Sequence, residues 1–325
     1  MKSIWREIVL SVIMGMVLPG IVMNWAVEET VQEENLVTEG ENISQQPEEQ
    51  CAGMQMRLRR NEAVQTMEMD EYLVGVLLGE MPASFELEAK KAQAVAARTF
   101  VCRAQVTGGK HGDGSVCDDS ACCQAYCPAE EYLEKGGNEE AVRQARRAAE
   151  STGGYVLTYG GQIIEATYFS CSGGSTEDAV AVWGTDVPYL RAVQSPGEEK
   201  ATHYTDTVYF LKEEFLDKLG LNLTGSPEEW LGKCTYTAGN GVQSMVIGGK
   251  TYEGTQLRSL LGLRSTVFSM KADAGGITVT TRGFGHRVGL SQYGADAMAV
   301  NGSGYEEILA HYYPGTTLEL TNGDG

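Results

Sequence analysis

The sequence predicts an α+β fold: a helical pair packed on a mixed, mainly antiparallel β-rich body, in one large domain with an insertion. Three observations predict it. Two adjacent helical segments fill residues 70–105, short period-2 stretches separated by glycine-rich breaks begin near residue 154, and 42% apolar content over 325 residues is enough for a sizeable core. With 44 acidic against 25 basic side chains, the net charge is −19. Sequence-independent nucleic-acid binding rests on basic patches meeting phosphates, so no nucleic-acid partner is expected.

The first element is an apolar run. Ile8 to Ala26 holds 19 residues without a charge, close to the ~20 needed to span a bilayer core. Lys2 and Arg6 precede it and Glu28, Glu29, Glu33 and Glu34 follow, which puts the remainder outside the cytoplasm. Residues 1–27 are therefore expected to be an uncleaved single-pass membrane anchor rather than a cleaved signal peptide, because no A-x-A-like site follows. Residues 28–51 are rich in Glu with no Lys or Arg, and are expected to be a disordered, self-repelling tether. The folded domain is expected over 52–320.

The helical pair comes next. In MDEYLVGVLLGEMP, Asp70 can cap the first helix and Pro82 stops it; Ser84 is the expected N-cap of the second, which runs to about Gln105. Lys91 and Arg98 are seven apart, on one face. Glu80 closes the apolar helix at a Met-Pro corner facing those cations. An apolar setting raises a carboxyl's pKa and lets it hold a proton as a general acid must, whereas cations pull the other way. The bland reading is a helix-end Glu paired with Lys91 or Arg98.

A cysteine-rich loop follows the pair. His111, Cys117, Cys122 and Cys123, in HGDGSVCDDSACCQAYC, are four soft or borderline ligands of the kind that select zinc, and a closed four-ligand site is structural. Disulfides and free thiols are the competing readings; Cys127 is a spare that could replace a ligand or pair with Cys102 or Cys171.

The β-rich body starts at TGGYVLTYGGQIIEATYFS, a hairpin with its turn between Tyr159 and Gln162. It leads into CSGGSTEDAVAVWGTDVPYLRAV, which by itself reads as a strand-ending loop. Residues 198–264 read as an insertion, with a helix over 209–219, a β-like part over 234–252 and a helical turn over 255–261. A Gly-rich strand end, RGFGHRVGLSQYGADAM, then opens a helix over 292–300; His286 here is either a cleft residue or a packed core histidine. A nucleotide loop and a Ser-His-Asp triad both lack their motifs.

The run YLVGVLLGEMPASFELEAKKAQAVAARTF, the S-G-G-S-T and V-P-Y-L elements and the G-H-x-V-G-x-S-Q-Y-G block resemble the stage II sporulation protein D family from about Leu58 to Leu318. The resemblance implies a peptidoglycan lytic transglycosylase. Such an enzyme would cleave the bond between N-acetylmuramic acid and N-acetylglucosamine in denuded glycan strands during sporulation engulfment, leaving 1,6-anhydro ends. It implies Glu80 as catalytic acid/base, with Lys91, Arg98, Thr176, Tyr189, His286 and Gln292 as substrate-cleft residues. A hydrolase would instead need a second carboxylate, with Glu177, Asp178 and Asp186 as candidates. Some members bind zinc in the loop with two His and two Cys; this sequence departs at Cys122, which makes the set richer in thiolate. The resemblance also implies a location between the two membranes of the sporangium and a complex with the sporulation amidase/endopeptidase P and membrane protein M. The alternative is a non-catalytic enhancer of a cell-wall amidase, since relatives include such modifiers.

Overall fold

Gln55–Arg60 (β1) and Ala63–Glu68 (β2) form the first hairpin, closed by Asn61 and Glu62, both at positive φ. A computed structural model describes residues 55–202 and 204–321; the anchor and tether expected at 1–51 lie outside the described residues. Among the described residues no helix is long and apolar enough to cross a membrane.

The expected helical pair follows. The first helix, Met69–Glu80 (α1), starts one residue before Asp70, with Glu68 at its N-cap and no side-chain cap. Asp70 sits in the first turn, where negative charge suits the helix dipole, and pairs with Arg98. The second, Leu87–Thr107 (α2), has Glu86 rather than Ser84 at its N-cap position and no side-chain cap, because the chain needs residues 81–86 to turn the corner after Pro82. Thirteen of its residues are buried, six of them alanine, and this small-residue surface packs against neighbours on nearly every side.

Those neighbours come from the rest of the chain. Val116–Cys117 (β3) pairs parallel to β1 and leads through Ala129–Glu134 (α3) to Glu139–Ser151 (α4). Asn138 caps α4 by accepting from Ala141 N at 2.8 Å, and Ala141, Ala145, Ala148 and Ala149 form its buried stripe. Tyr155–Tyr159 (β4) and Gln162–Ile163 (β5) form the expected hairpin, with Gly160 and Gly161 both at positive φ as a two-residue turn requires. Tyr168–Phe169 (β6) and Ala179–Trp183 (α5) follow.

The next segment departs from expectation. Residues 209–211 are not helical. Thr205–Leu211 (β7) is a strand in a seven-residue antiparallel register, and the helix starts only at Lys212 (α6, Lys212–Leu219). β-branched and aromatic residues in T-D-T-V-Y-F suit the strand, and pairing outweighs the helical pattern seen locally. Leu231–Tyr236 (β8), Val242–Ile247 (β9) and Lys250–Glu253 (β10) form a meander, followed by Gly254–Leu261 (α7) and the hairpin Val267–Asp273 (β11) and Gly276–Arg282 (β12), onto which β7 pairs. These elements enclose their own apolar cluster, with Phe210, Phe215, Trp230, Ile247, Tyr252, Phe268 and Ile277 at its centre. That cluster extends beyond residue 264, since Phe268, Ile277 and Val279 supply its far side.

The chain then returns to the first core. Leu290–Ser291 (β13) pairs parallel to β6, Gln292–Val300 (α8) and Tyr305–Tyr312 (α9) pack on α2, and Thr317–Leu320 (β14) adds to β4. Apart from β1/β3 and β6/β13, the strand pairs are antiparallel. The fold is α+β, with small sheets around the helical pair.

Candidate active site

Glu80 ends α1, a helix so apolar that Tyr72 through Leu77 are all buried. Its carboxylate is positioned from three other segments. Ala125 N–H donates to Oε1 at 2.7 Å, and Gln292 Nε2, at the start of α8, donates to Oε2 at 3.1 Å. The Tyr168 hydroxyl reaches both Glu80 Oε1 (3.4 Å) and Gln124 Oε1 (2.8 Å). It has one proton, and the shorter contact to Gln124 takes most of it. Gln124 in turn donates to Tyr72 Oη at 3.1 Å. Burial pushes the Glu80 carboxyl above the usual carboxylate range, opposed by the Ala125, Gln292 and Tyr168 hydrogen bonds. Neither Lys91 nor Arg98 enters that balance.

A glycine groove holds the 122–127 loop against α1. A Cβ on Gly75 would lie 2.2 Å from the Tyr126 ring, and one on Gly79 would lie 3.1 Å from the Ala125 backbone. Gly75 and Gly79 are four apart on one helix face, so Ala125 and Tyr126 sit directly on the backbone there. Tyr126 stacks on Tyr72 with ring centroids 5.5 Å apart, and Cys127 N donates to Gly75 O at 2.9 Å. This close approach delivers the Ala125 N–H to Glu80.

An open cavity of about 730 Å³ lies over Glu80. Tyr168, Gln292, Glu165 and Lys110 line it beside the acid; Trp183, Phe284 and His286 form an aromatic side, and Cys122 and Cys123 of the cysteine loop form part of the wall. His286 and Gln292 thus share the cavity with Glu80. The other expected cleft residues do not line it. Lys91 Nζ pairs with Glu88 at 2.6 Å and lies over the Tyr305 ring. Arg98 is only 2% exposed and donates to the carbonyls of Ala149, Thr152 and Tyr155 at 2.7–3.2 Å. A buried cation is tolerated there because it satisfies carbonyls at the C-terminal end of α4. Thr176 is buried, donating to Arg191 O and accepting from Val193 N. The Tyr189 hydroxyl accepts from Glu165 N at 3.2 Å, so it holds a cavity residue rather than facing the cavity itself.

None of the three candidate second carboxylates lines the cavity either. Glu177 is buried against Arg287, 3.5 Å from Nη1, Asp178 accepts from Ala192 N, and Asp186 pairs with Arg191 at 2.6 Å. Glu165, whose exposed side chain no motif singles out, is the carboxylate that shares the cavity with Glu80.

The donor atoms of His111, Cys117, Cys122 and Cys123 all lie within 4.8 Å of one another. Metal–ligand lengths of about 2.3 Å to sulfur and 2.0–2.1 Å to nitrogen imply tetrahedral S···S and S···N separations of about 3.8 and 3.5 Å. The Cys122–Cys123 sulfurs are 3.9 Å apart, and His111 Nε2 is 3.9 Å from Cys122 Sγ and 3.6 Å from Cys123 Sγ. The set therefore fits a four-coordinate ion in both donor type and spacing. Cys127 and Cys171 are free thiols, so the pairing suggested for Cys127 with Cys102 or Cys171 does not form; Cys102 is disulfide-bonded.

Two glycine-rich segments are tied together by Glu198. It is buried and accepts from Ser172 N (2.6 Å), Ser172 Oγ (2.9 Å) and Gly173 N (3.2 Å) on one oxygen, and from the Ser195 and Ser291 hydroxyls on the other. Ser291 also caps α8, so this carboxylate fixes the helix whose first residue, Gln292, touches Glu80.

A family model described as Stage II sporulation protein matches residues 58–159, which contain Glu80 and Ala125. The chain is 44% identical to Stage II sporulation protein D of Bacillus subtilis (strain 168) over 263 residues, covering 79% of this chain and 76% of that protein. It belongs to the stage II sporulation protein D family. Within that family, the protein of the same name from Bacillus amyloliquefaciens is 41% identical over the same shares. A protein called Amidase enhancer from Bacillus subtilis (strain 168) is 31% identical over 76% of this chain, but over only 40% of its own length. At 263 residues, the stage II sporulation protein D match is longer than the 58–159 segment.

Proposed function

We propose that this protein is a peptidoglycan lytic transglycosylase with Glu80 as its acid and base. The observation that carries the reading is a carboxyl raised by burial and opening on a cavity of about 730 Å³, with neither Lys91 nor Arg98 among the groups that shift it. Glu80 Oε1 already takes the Ala125 N–H, whereas Oε2 accepts only from Gln292 among the described residues. Oε2 therefore has a lone pair free to carry the acid proton. Protonated Glu80 gives that proton to the oxygen between N-acetylmuramic acid and N-acetylglucosamine as the C1–O bond breaks. The carboxylate then takes the proton of the muramyl 6-hydroxyl as O6 closes on C1. The products are a 1,6-anhydro-muramyl end and a free 4-hydroxyl on N-acetylglucosamine, with no water consumed. Preferred strands would be those already stripped of stem peptides.

The same reading includes a structural zinc held by His111, Cys117, Cys122 and Cys123. Bound there, it would supply no chemistry beyond fixing the loop, since four protein ligands leave no position for water. It also includes a membrane anchor at residues 8–26, a catalytic domain outside the cytoplasm in the space between the sporangial membranes, and work alongside the sporulation amidase/endopeptidase P and membrane protein M.

A second reading is favoured by the relative named Amidase enhancer: a non-catalytic modifier of a cell-wall amidase. Mass spectrometry of products from denuded glycan strands separates the two. The wild type is expected to release fragments ending in 1,6-anhydro-muramic acid, one water lighter than hydrolytic products. Glu80→Gln is expected to lose on the order of 10²- to 10⁴-fold in rate while still binding the strands. Reducing ends would instead mark a hydrolase, with Glu165 the carboxylate to test next. Full cleavage by Glu80→Gln would refute the assignment of the acid, and no cleavage by the wild type would favour the enhancer.

A further inference from the structure

The aromatic side of the Glu80 cavity is built differently from the acid side. Trp183 is the last residue of α5 and is 45% exposed, an unusual state for the largest apolar side chain. Scattered surface apolar residues need no explanation, but Trp183 lines a concave wall together with Phe284 and His286. Pockets for organic ligands pair such apolar surface with a few placed polar groups, here Glu80 and Gln292.

The wall is braced from behind. The His286 ring lies 5.3 Å from Trp183 and 5.6 Å from Phe169, centroid to centroid, and so sits between them. Both of its nitrogens are committed: Nδ1 accepts from Val288 N at 3.1 Å, and the ring bonds to the Tyr168 backbone. Burial holds it down to about 4, so it is neutral at physiological pH and adds no charge to the wall. It is a wedge rather than a proton carrier. Strand β6 joins the two sides. Its adjacent residues alternate in direction, sending Tyr168 to Glu80 and Phe169 to His286. One short strand therefore sets the acid and the aromatic wall in a fixed relation.

We infer that Trp183 is a stacking platform for one pyranose ring of the glycan, with His286 as the positioning residue that holds the indole in place. This rests on the glycan-cleaving reading above. A β-linked sugar in the gluco configuration carries its substituents equatorially and presents its axial C–H bonds on two flat apolar faces. An indole held rigid beside the cavity buries such a face without losing conformational freedom of its own. The ring bound there would be a neighbour of the bond under attack, fixing which linkage reaches Glu80.

The test uses the full chain in detergent with denuded glycan strands. Trp183→Ala is expected to raise KM roughly tenfold or more while kcat changes little, as loss of an aromatic contact made equally in ground and transition states would do. Trp183→Phe should recover most of the loss. His286→Ala should raise KM in the same direction without moving the pH profile, since a neutral wedge titrates outside the working range. In the Glu80→Gln background, strands should shift the tryptophan emission, and the shift should vanish when Trp183→Phe is added. An unchanged KM in Trp183→Ala, with the wild type active, overturns the platform and leaves the cleavage reading intact. A wild type that neither binds nor cuts the strands overturns both.

Discussion

Burial and hydrogen bonding pull the Glu80 carboxyl in opposite directions, and burial is the larger influence. A carboxyl whose folded pKa is raised binds its proton more tightly in the folded state. Its contribution to stability is fully present below the ordinary carboxylate range and is lost as pH rises through the folded value. Glu80→Gln is therefore expected to melt higher than wild type at pH 7. The difference should shrink as pH falls through the carboxylate range, which thermal melts at pH 4 and pH 7 would check. A wild type more stable than the variant at pH 7 would mean that the Ala125, Gln292 and Tyr168 hydrogen bonds outweigh burial. Glu80 and Gln292 were legible as candidates in the sequence because each sits in a distinctive motif, and the fold brings them into contact. Tyr168 and Ala125 were not, since nothing local marks a residue that reaches Glu80 from 88 or 45 positions away. Arg98, expected in the cleft, lies away from the cavity for a related reason. Its seven-residue spacing from Lys91 defines a helix face, but α2 is buried nearly all round, so a face of it need not meet a cleft.

At the scale of the element, α1 is a helix with a slot. Its existence and its stop at the Met-Pro corner follow from composition. The purpose of Gly75 and Gly79 does not, because a G-x-x-x-G spacing says that something approaches without saying what. Gly75→Ala places a methyl 2.2 Å from a ring that is itself stacked on buried Tyr72. The half-buried Tyr126 ring must shift off fully buried Tyr72, so overpacking is expected to cost about 1–3 kcal/mol, read from the urea midpoint. Cleavage by the remaining folded protein should fall as well, because displacing Tyr126 also displaces the Ala125 N–H. A variant with full stability and activity would show that the loop does not depend on the groove. Strand β7 shows the opposite limit of sequence reading. Its residues suit either state in isolation, and a partner strand that begins 65 residues downstream decides between them.

Across the whole molecule, the fold class, the helical pair and the β4–β5 hairpin were readable from periodicity, while the extent of the second apolar cluster was not. Strands β11 and β12 complete that cluster, yet they lie beyond residue 264, where the insertion was expected to end. The cysteine loop has a similarly global reach, because it is held to α1 on one side and forms cavity wall on the other. If zinc occupies the four-ligand set, metal analysis should find about one ion per chain. Removing it should cost a few kcal/mol, a drop of roughly 5–10 °C in Tm for a domain of this size. Metal-free protein with an unchanged melting curve would reject the zinc.

The supports of Glu80 also bear on when the activity can exist. The acid at 80 meets Ala125, Tyr168 and Gln292, so its surroundings close only after the chain as far as α8 has been made and folded back. A growing chain that has emerged to residue 159 already contains the whole segment matched by the family model, yet holds a carboxyl with one of its three direct supports. If Glu80 is the acid proposed above, cleavage has to wait until those supports have folded into place. A protease nick that frees α8 would silence the acid without touching the residue that carries it.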